Sequence, residues 1–431
     1  MEQIGFDPAE PKAALSQLPR HPAVFALYGV DAHAEPYVGR TPNLRGRLER
    51  LLQPSAKHPR RLQLAAHVRR IEYRLTGSDF ESLLAQFFLL EKIYGAKALE
   101  RMHLRAPAFI RYLGSNAYPR ITVTSRPSQR EAEWAYGPFA SRAAAERFAD
   151  EALKLFLLRR CTDDLKPDPS HPGCVYSEMK MCLAPCYKGC TDERYAEESA
   201  AVEQFIATRG ESKLVTLRAE RDRASETLEF ENAAALHAQV QKVEAVRALA
   251  PELVQPMSQL RAVILQAPPA VASAEDAAIE VPVFLFEHGQ LRGPVGFSTL
   301  GMRIQNERSG SSSLFAQPVA VEAVPEGPAG NSDTKAQRGL LEARLEAVLE
   351  DLAGETDTPD AVVRQGHLAL LKRWYYRPEV KREGEIFFAD EEGQWPVKAI
   401  LRGVGRVAAK AMADGLPTAP AEQNRQEKSA E

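Results

Sequence analysis

All five cysteines of the chain fall between Cys161 and Cys190. In a sequence of 431 residues that concentration marks one local site, because a disulfide framework would spread its cysteines over the fold. Four of them follow the spacing Cys161-x12-Cys174-x7-Cys182-x3-Cys186, with Pro185 inside the last gap. Thiolates so placed suit a tetrahedral zinc ion or an iron–sulfur cluster.

The rest of the chain is of ordinary globular texture, with 44% apolar and 26% charged residues, which excludes a wholly disordered or fibrous protein. Its length allows two to four domains at about 100–200 residues each. Residues 21–100 alternate β-like runs (Ala23 to Leu27, Pro36 to Gly39, Ile71 to Leu75) with helical ones, as in a small α/β domain. A strand at Arg120 to Thr124 and a helix at Ser141 to Leu158 lead into the cysteine segment. Between Glu193 and Leu249 apolar positions recur at three and four, the pattern of an antiparallel helix pair or one long amphipathic helix.

Beyond Pro251, strands at Ala262 to Gln266 and Val281 to Glu287 are expected, the second turning at His288-Gly289-Gln290 into Leu291 to Phe297. Pro/Ala/Ser-rich stretches at 267–277 and 323–335 read as loops, with helices at 338–353 and 364–376 and a strand at Glu385 to Ala389. The fold class is therefore a multidomain α/β chain. Its expected units are 1–100, 101–192, 193–250, an α+β unit at 251–416 and a disordered tail at 417–431. No apolar run approaches the ~18 residues of a membrane span, and Met1 to Pro8 lack a signal-peptide pattern. A cytoplasmic protein without a membrane partner is expected.

A net charge of -3 names no partner, but its distribution is uneven. Ten Lys/Arg against two Glu lie between Arg40 and Arg74, among them Arg40, Arg45, Arg47, Lys57, Arg60 and Arg61. Such clustering suits phosphate neutralisation, although a solvated helical face has the same composition.

The same region carries a motif, Pro22-Ala23-Val24-Phe25, eleven residues, then Tyr37-Val38-Gly39-Arg40-Thr41-Pro42-Asn43-Leu44-Arg45-Gly46-Arg47. It resembles the GIY-YIG nuclease domain, and more closely the N-terminal nuclease domain of the UvrC-like family, the incision proteins of the bacterial excinuclease ABC system. The resemblance implies Tyr37 beside the scissile phosphate, Arg47 steadying transition-state charge, and one glutamate holding a Mg²⁺ or Mn²⁺ ion. Four matching positions differ: the first-motif Gly is Ala23, its Tyr is Phe25, the metal-binding Glu is Gln86, and a further Tyr is Leu51. A neutral amide is a poor ligand for a hard dication. Glu81, five residues before Gln86, lies roughly 140° away around a helix of ~3.6 residues per turn.

The words around the thiols, Leu158-Arg159-Arg160-Cys161 and Met181-Cys182-Leu183-Ala184-Pro185-Cys186, resemble the cysteine segment of the same family. That resemblance implies a [4Fe–4S] cluster on Cys161, Cys174, Cys182 and Cys186, with zinc as the alternative and Cys190 outside the set. Leu228-Glu229-Phe230-Glu231-Asn232-Ala233-Ala234 resembles the family's UVR helical hairpin, through which the helicase and the incision protein of excision repair bind each other. Leu228, Phe230, Ala233 and Ala234 are then the partner-binding residues, with an excinuclease ABC helicase as partner. No counterpart of the family's RNase H-like nuclease or helix–hairpin–helix elements is visible, so the resemblance implies a shortened member. Arg373-Trp374-Tyr375-Tyr376-Arg377 reads equally as a nucleic-acid surface or as a helix end with Trp374 in the core. Two functions stay open: an excision-repair endonuclease, and a catalytically degenerate DNA-binding adaptor.

Overall fold

The computed structural model describes residues 1–31, 34–53, 64–127, 135–162, 165–268, 279–300, 302, 330–354, 361–378 and 381–415. Lys57, Arg60, Arg61 and the tail expected at 417–431 lie outside the described residues.

The first unit contains β1 (Glu2–Gly5), α1 (Pro11–Gln17), β2 (Ala23–Tyr28), β3 (Tyr37–Thr41), α2 (Leu44–Leu52), the single turn α3 (Leu64–His67), β4 (Arg70–Leu75) and α4 (Asp79–Tyr94). Its antiparallel sheet runs β1-β4-β2-β3, leaving β3 at an edge. The unbroken apolar run of β2 is explained by burial on both faces. Phe25 and Leu27 pack with the Leu44/Leu48/Leu52 stripe of α2, whereas Val24 and Ala26 pack against Ala85 and Leu89 of α4. Asn43 caps α2, its side chain accepting from the Gly46 amide.

Helix α4 carries more than this sheet. Its other side, Phe80, Leu83, Leu84, Phe87 and Leu90, is buried in a larger core with Phe109, Phe284, Phe286, Leu371 and Trp374. It is followed by the short α5 (Ala98–Arg101) and a second antiparallel sheet, formed by β5 (Ala108–Tyr112), β6 (Ile121–Thr124) and β7 (Ala135–Phe139). Next come α6 (Arg142–Leu153), the short α7 (Val175–Glu178), α8 (Asp192–Ala207), α9 (Glu211–Glu226), α10 (Phe230–Arg247) and β8 (Gln255–Pro256), which joins the sheet in the order β6-β5-β7-β8. Ser141 caps α6 rather than belonging to it, and the helix ends at Leu153, short of the expected Leu158. The region 193–249 is three helices, not a pair. The first break is Gly210, at φ 86, where a Cβ would meet Arg247 and Phe205 side chains.

The third sheet has the order β11-β10-β9-β12, from β9 (Ala262–Leu265), β10 (Glu280–Glu287), β11 (Gln290–Ser298) and β12 (Glu385–Phe388). The β10–β11 hairpin turns through His288 and Gly289, both at positive φ, as a two-residue turn requires. Helices α11 (Gly330–Ala353), α12 (Ala361–Tyr375) and α13 (Val397–Gly415) complete the unit. Helix α11 begins inside the 323–335 stretch expected to be loop. Helix α13 was not anticipated: Ile400, Val404 and Ala408 bury its apolar face against Val263, Leu265 and Val281.

Candidate functional site

On the edge strand β3, Tyr37 is 40% exposed and faces an open cleft of about 630 Å³. Gln86 of α4 lines the same cleft, together with Glu35, Tyr94, Glu100, Arg101 and His103. The two motif positions are thus brought together, whereas Arg47 and Phe25 are not among the lining residues. Phe25 pairs with Gly39 across the hairpin and is 1% exposed. A Cβ on Gly39 would come 2.7 Å from the Phe25 ring, so this glycine lets the ring lie under the strand. The ring centroid stays 6.1 Å from that of Tyr37. Arg47 stands half-buried on α2 with no side-chain partner among the described residues.

Two of the nearby carboxylates, Glu35 and Glu81, are committed elsewhere. Glu35 is ion-paired with Arg101 at 2.5 Å, and Arg101 also stacks over Tyr94 at 3.8 Å. Glu81 is a capping residue, its Oε2 accepting from the Gly77 amide at 2.8 Å while its own amide donates to the Ser78 hydroxyl. Burial pushes its carboxyl up, against the opposing pull of the Gly77 amide and Arg74. At Gln86 itself the cleft offers a neutral amide, a poor ligand for a hard dication, while Glu100 and His103 line the same cleft.

Arg40 and Arg45 of the basic stretch are engaged internally. The Nε of Arg45 donates to the Leu18 carbonyl at 2.6 Å. Arg40 pairs with Asp79, the first residue of α4, whose second oxygen accepts from Arg377 at 2.5 Å. Burial raises the Asp79 carboxyl, but the two guanidiniums outweigh it and hold the group below the usual carboxylate range.

In the cysteine segment, Cys186 is buried and Cys161, Cys174 and Cys182 are half-buried. Burial pushes the Cys182 and Cys186 thiols up. Backbone amides at Ala184 and Tyr187 pull the other way, and the neighbouring thiols of Cys161 and Cys174 push up again. Cys182 and Cys186 therefore both sense Cys161 and Cys174. Cys190 instead responds to burial, Asp192 and Arg194. The Arg159 guanidinium lies 3.6 Å from the Cys161 sulfur. N–H donors reach the sulfurs of Cys161, Cys182 and Cys186, on a loop bent through left-handed Lys180, Ala184 and Lys188. Among the described residues, no three His, Cys, Asp or Glu side chains stand close enough to share a single ion.

Helices α9 and α10 form a hairpin that turns at Leu228, at φ 59. Leu228 is 70% and Phe230 66% exposed, with Ala234 exposed and Ala233 half-exposed beside them. By contrast, Val240 and Val243 at the other end of α10 are buried. The aromatic run at 373–377 takes the core alternative: Trp374 is 1% exposed, and the Tyr376 hydroxyl donates to the Pro138 carbonyl at 2.9 Å. The cleft residues Glu35, Tyr94, Glu100, Arg101 and His103 went unrecognised in the sequence, because only tertiary folding brings them to β3.

Residues 109–206, from β5 to α8 and including the thiols, match the family described as the UvrC/Cho excinuclease middle domain. Across this region the chain is UvrC-like. It is similar to the UvrABC system protein C of Aliivibrio fischeri, 25% identical over 55% of this chain and 38% of that protein. The counterpart from Alcanivorax borkumensis is 27% identical over 55% of this chain and 39% of its own length. That from Ruminiclostridium cellulolyticum is 30% identical over 48% and 34%. The matched region thus spans well under half the length of these relatives. No solved structure matches the chain significantly. Among the described residues no helix is long and apolar enough to cross a membrane.

Proposed function

We propose that the protein acts in nucleotide excision repair as a DNA-binding adaptor that docks on an excinuclease ABC helicase and does not itself cut DNA. Its similarity to UvrABC system protein C supports the process. The observation that carries the non-cutting reading is Gln86, an amide at the cleft position where a carboxylate would hold the metal. The exposed Leu228 and Phe230 supply the docking knob, since an apolar pair left in water at a helix turn is an anchor in want of a pocket. The four thiols hold a [4Fe–4S] cluster, which supplies bracing between the second sheet and the helices; zinc is the competing occupant. Anaerobically purified protein should be brown and lose the colour in Cys182→Ser, and stoichiometric zinc in its place would reject the cluster.

A second reading, an active endonuclease, is favoured by the exposed Tyr37 at the cleft and by Arg47, which has no side-chain partner among the described residues. A nicking assay on damaged duplex with Mg²⁺ or Mn²⁺, with and without the helicase, separates the two. Wild-type protein should not nick, and Gln86→Glu combined with Phe25→Tyr should gain divalent-dependent nicking. Robust wild-type nicking that disappears in Tyr37→Phe would establish the enzyme.

A further inference from the structure

Three arginines, two from strands β3 and β4 and one from the segment after α12, meet two carboxylates on the first turn of α4. Arg40 from β3 and Arg377, just after α12, each take one oxygen of Asp79, and Arg74 from β4 stands 3.8 Å from Glu81. One positive charge is left over. The Arg40 and Arg377 side chains are 30% and 26% exposed and Asp79 is 36% exposed, so solvent reaches the cluster. Ion pairs this open contribute little to stability, and a purely structural role leaves their convergence unexplained.

The geometry suits a different occupant. A carboxylate and a phosphodiester both present two oxygens sharing one negative charge, and guanidinium forks donate to either. The α4 N-terminus adds a favourable field for an anion. Arg40 lies three residues along β3 from Tyr37, and Asp79 opens α4, the helix that carries Gln86.

We propose that Arg40 and Arg377 form a split phosphate-binding site that Asp79 occupies in the free protein and vacates to a backbone phosphate of DNA. Asp79 is then a built-in competitor, and engaging DNA bridges the nuclease-like sheet to the C-terminal unit. This rests on the DNA-binding reading above.

The test uses the full chain and a short duplex at low salt. Asp79→Asn should bind about tenfold tighter, with a salt slope steeper by about one, and adding Arg377→Gln should remove the gain. Unchanged or weaker binding by Asp79→Asn, with wild type binding normally, overturns the site. If neither protein binds duplex, inorganic pyrophosphate decides. A rise in the Asp79→Asn melting temperature that Arg377→Gln abolishes keeps the phosphate site and rejects DNA as its ligand; no rise rejects the site. If Asp79→Asn does not fold, Arg377→Gln alone should lower duplex affinity and flatten the salt slope by about one, and an unaltered slope overturns the proposal.

Discussion

The nuclease-like sheet and the hairpin of α9 and α10 treat their motif residues in opposite ways. In the sheet, Phe25 is sealed beneath β3 and Glu81 is spent on a helix cap. Arg40 is paired with Asp79. In the hairpin, Leu228 and Phe230 stay in water although the same helix buries Val240 and Val243. A motif position absorbed into packing or a helix cap is held by the fold itself, whereas the open Arg40–Asp79 pair can be exchanged. A position left exposed keeps its apolar surface free, and the docking proposal rests on that.

The sharpest way to break this contrast is to truncate the buried aromatic. Phe25→Ala removes a 1% exposed ring from between β3 and α2 and should cost about 3–5 kcal/mol in urea unfolding. A loss below about 1 kcal/mol would show that the ring is not held as tightly as its burial implies.

Acid probes the seam between α4 and the C-terminal unit. His367 on α12 is fully buried, its Nδ1 accepting from the Leu291 amide at 3.0 Å and its ring edge-on to Phe87 and Phe88 of α4. Burial lowers its pKa from 6.5 to about 4. The unfolded chain therefore binds a proton that the folded one refuses, so stability is complete above pH 6.5 and falls as pH drops toward 4. The loss reaches about 3 kcal/mol. His367→Gln should flatten that part of the pH profile, and an unchanged profile would place the acid sensitivity elsewhere.

Local chemistry was legible in the sequence where short-range rules decide. The β10–β11 turn follows from His288-Gly289, and the meeting of Tyr37 with Gln86 at one cleft agrees with the motif. What was not legible depends on partners distant in sequence. Strand β1 is a polar Glu-Gln-Ile-Gly edge defined by its pairing with β4. Helix α13 contains Gly403 and Gly405, which weaken its local signal, yet Gly403 is where the Phe387 ring packs against the helix. Helix α4 is apolar nearly all round, so periodicity could not tell that it would serve two cores. The run at 373–377 has the composition of a stacking surface, and only the core around Phe80 and Phe284 draws Trp374 inward.

The smallest effect on stability belongs to the hairpin. Phe230 opens α10 and is 66% exposed, so its ring contributes little to the folded state, and alanine is a better helix former at that position. Phe230→Ala should therefore shift the unfolding free energy by no more than about 0.5 kcal/mol. Affinity for an excinuclease ABC helicase should nevertheless fall roughly thirtyfold, the loss of about 2 kcal/mol expected when an aromatic anchor leaves a pocket. Both measurements are needed, since each alone has a trivial explanation. Full stability with lost affinity makes the tip a docking surface. Retained affinity would reject Phe230 as the anchor, and a large stability loss would put the ring in a core that its exposure does not reveal.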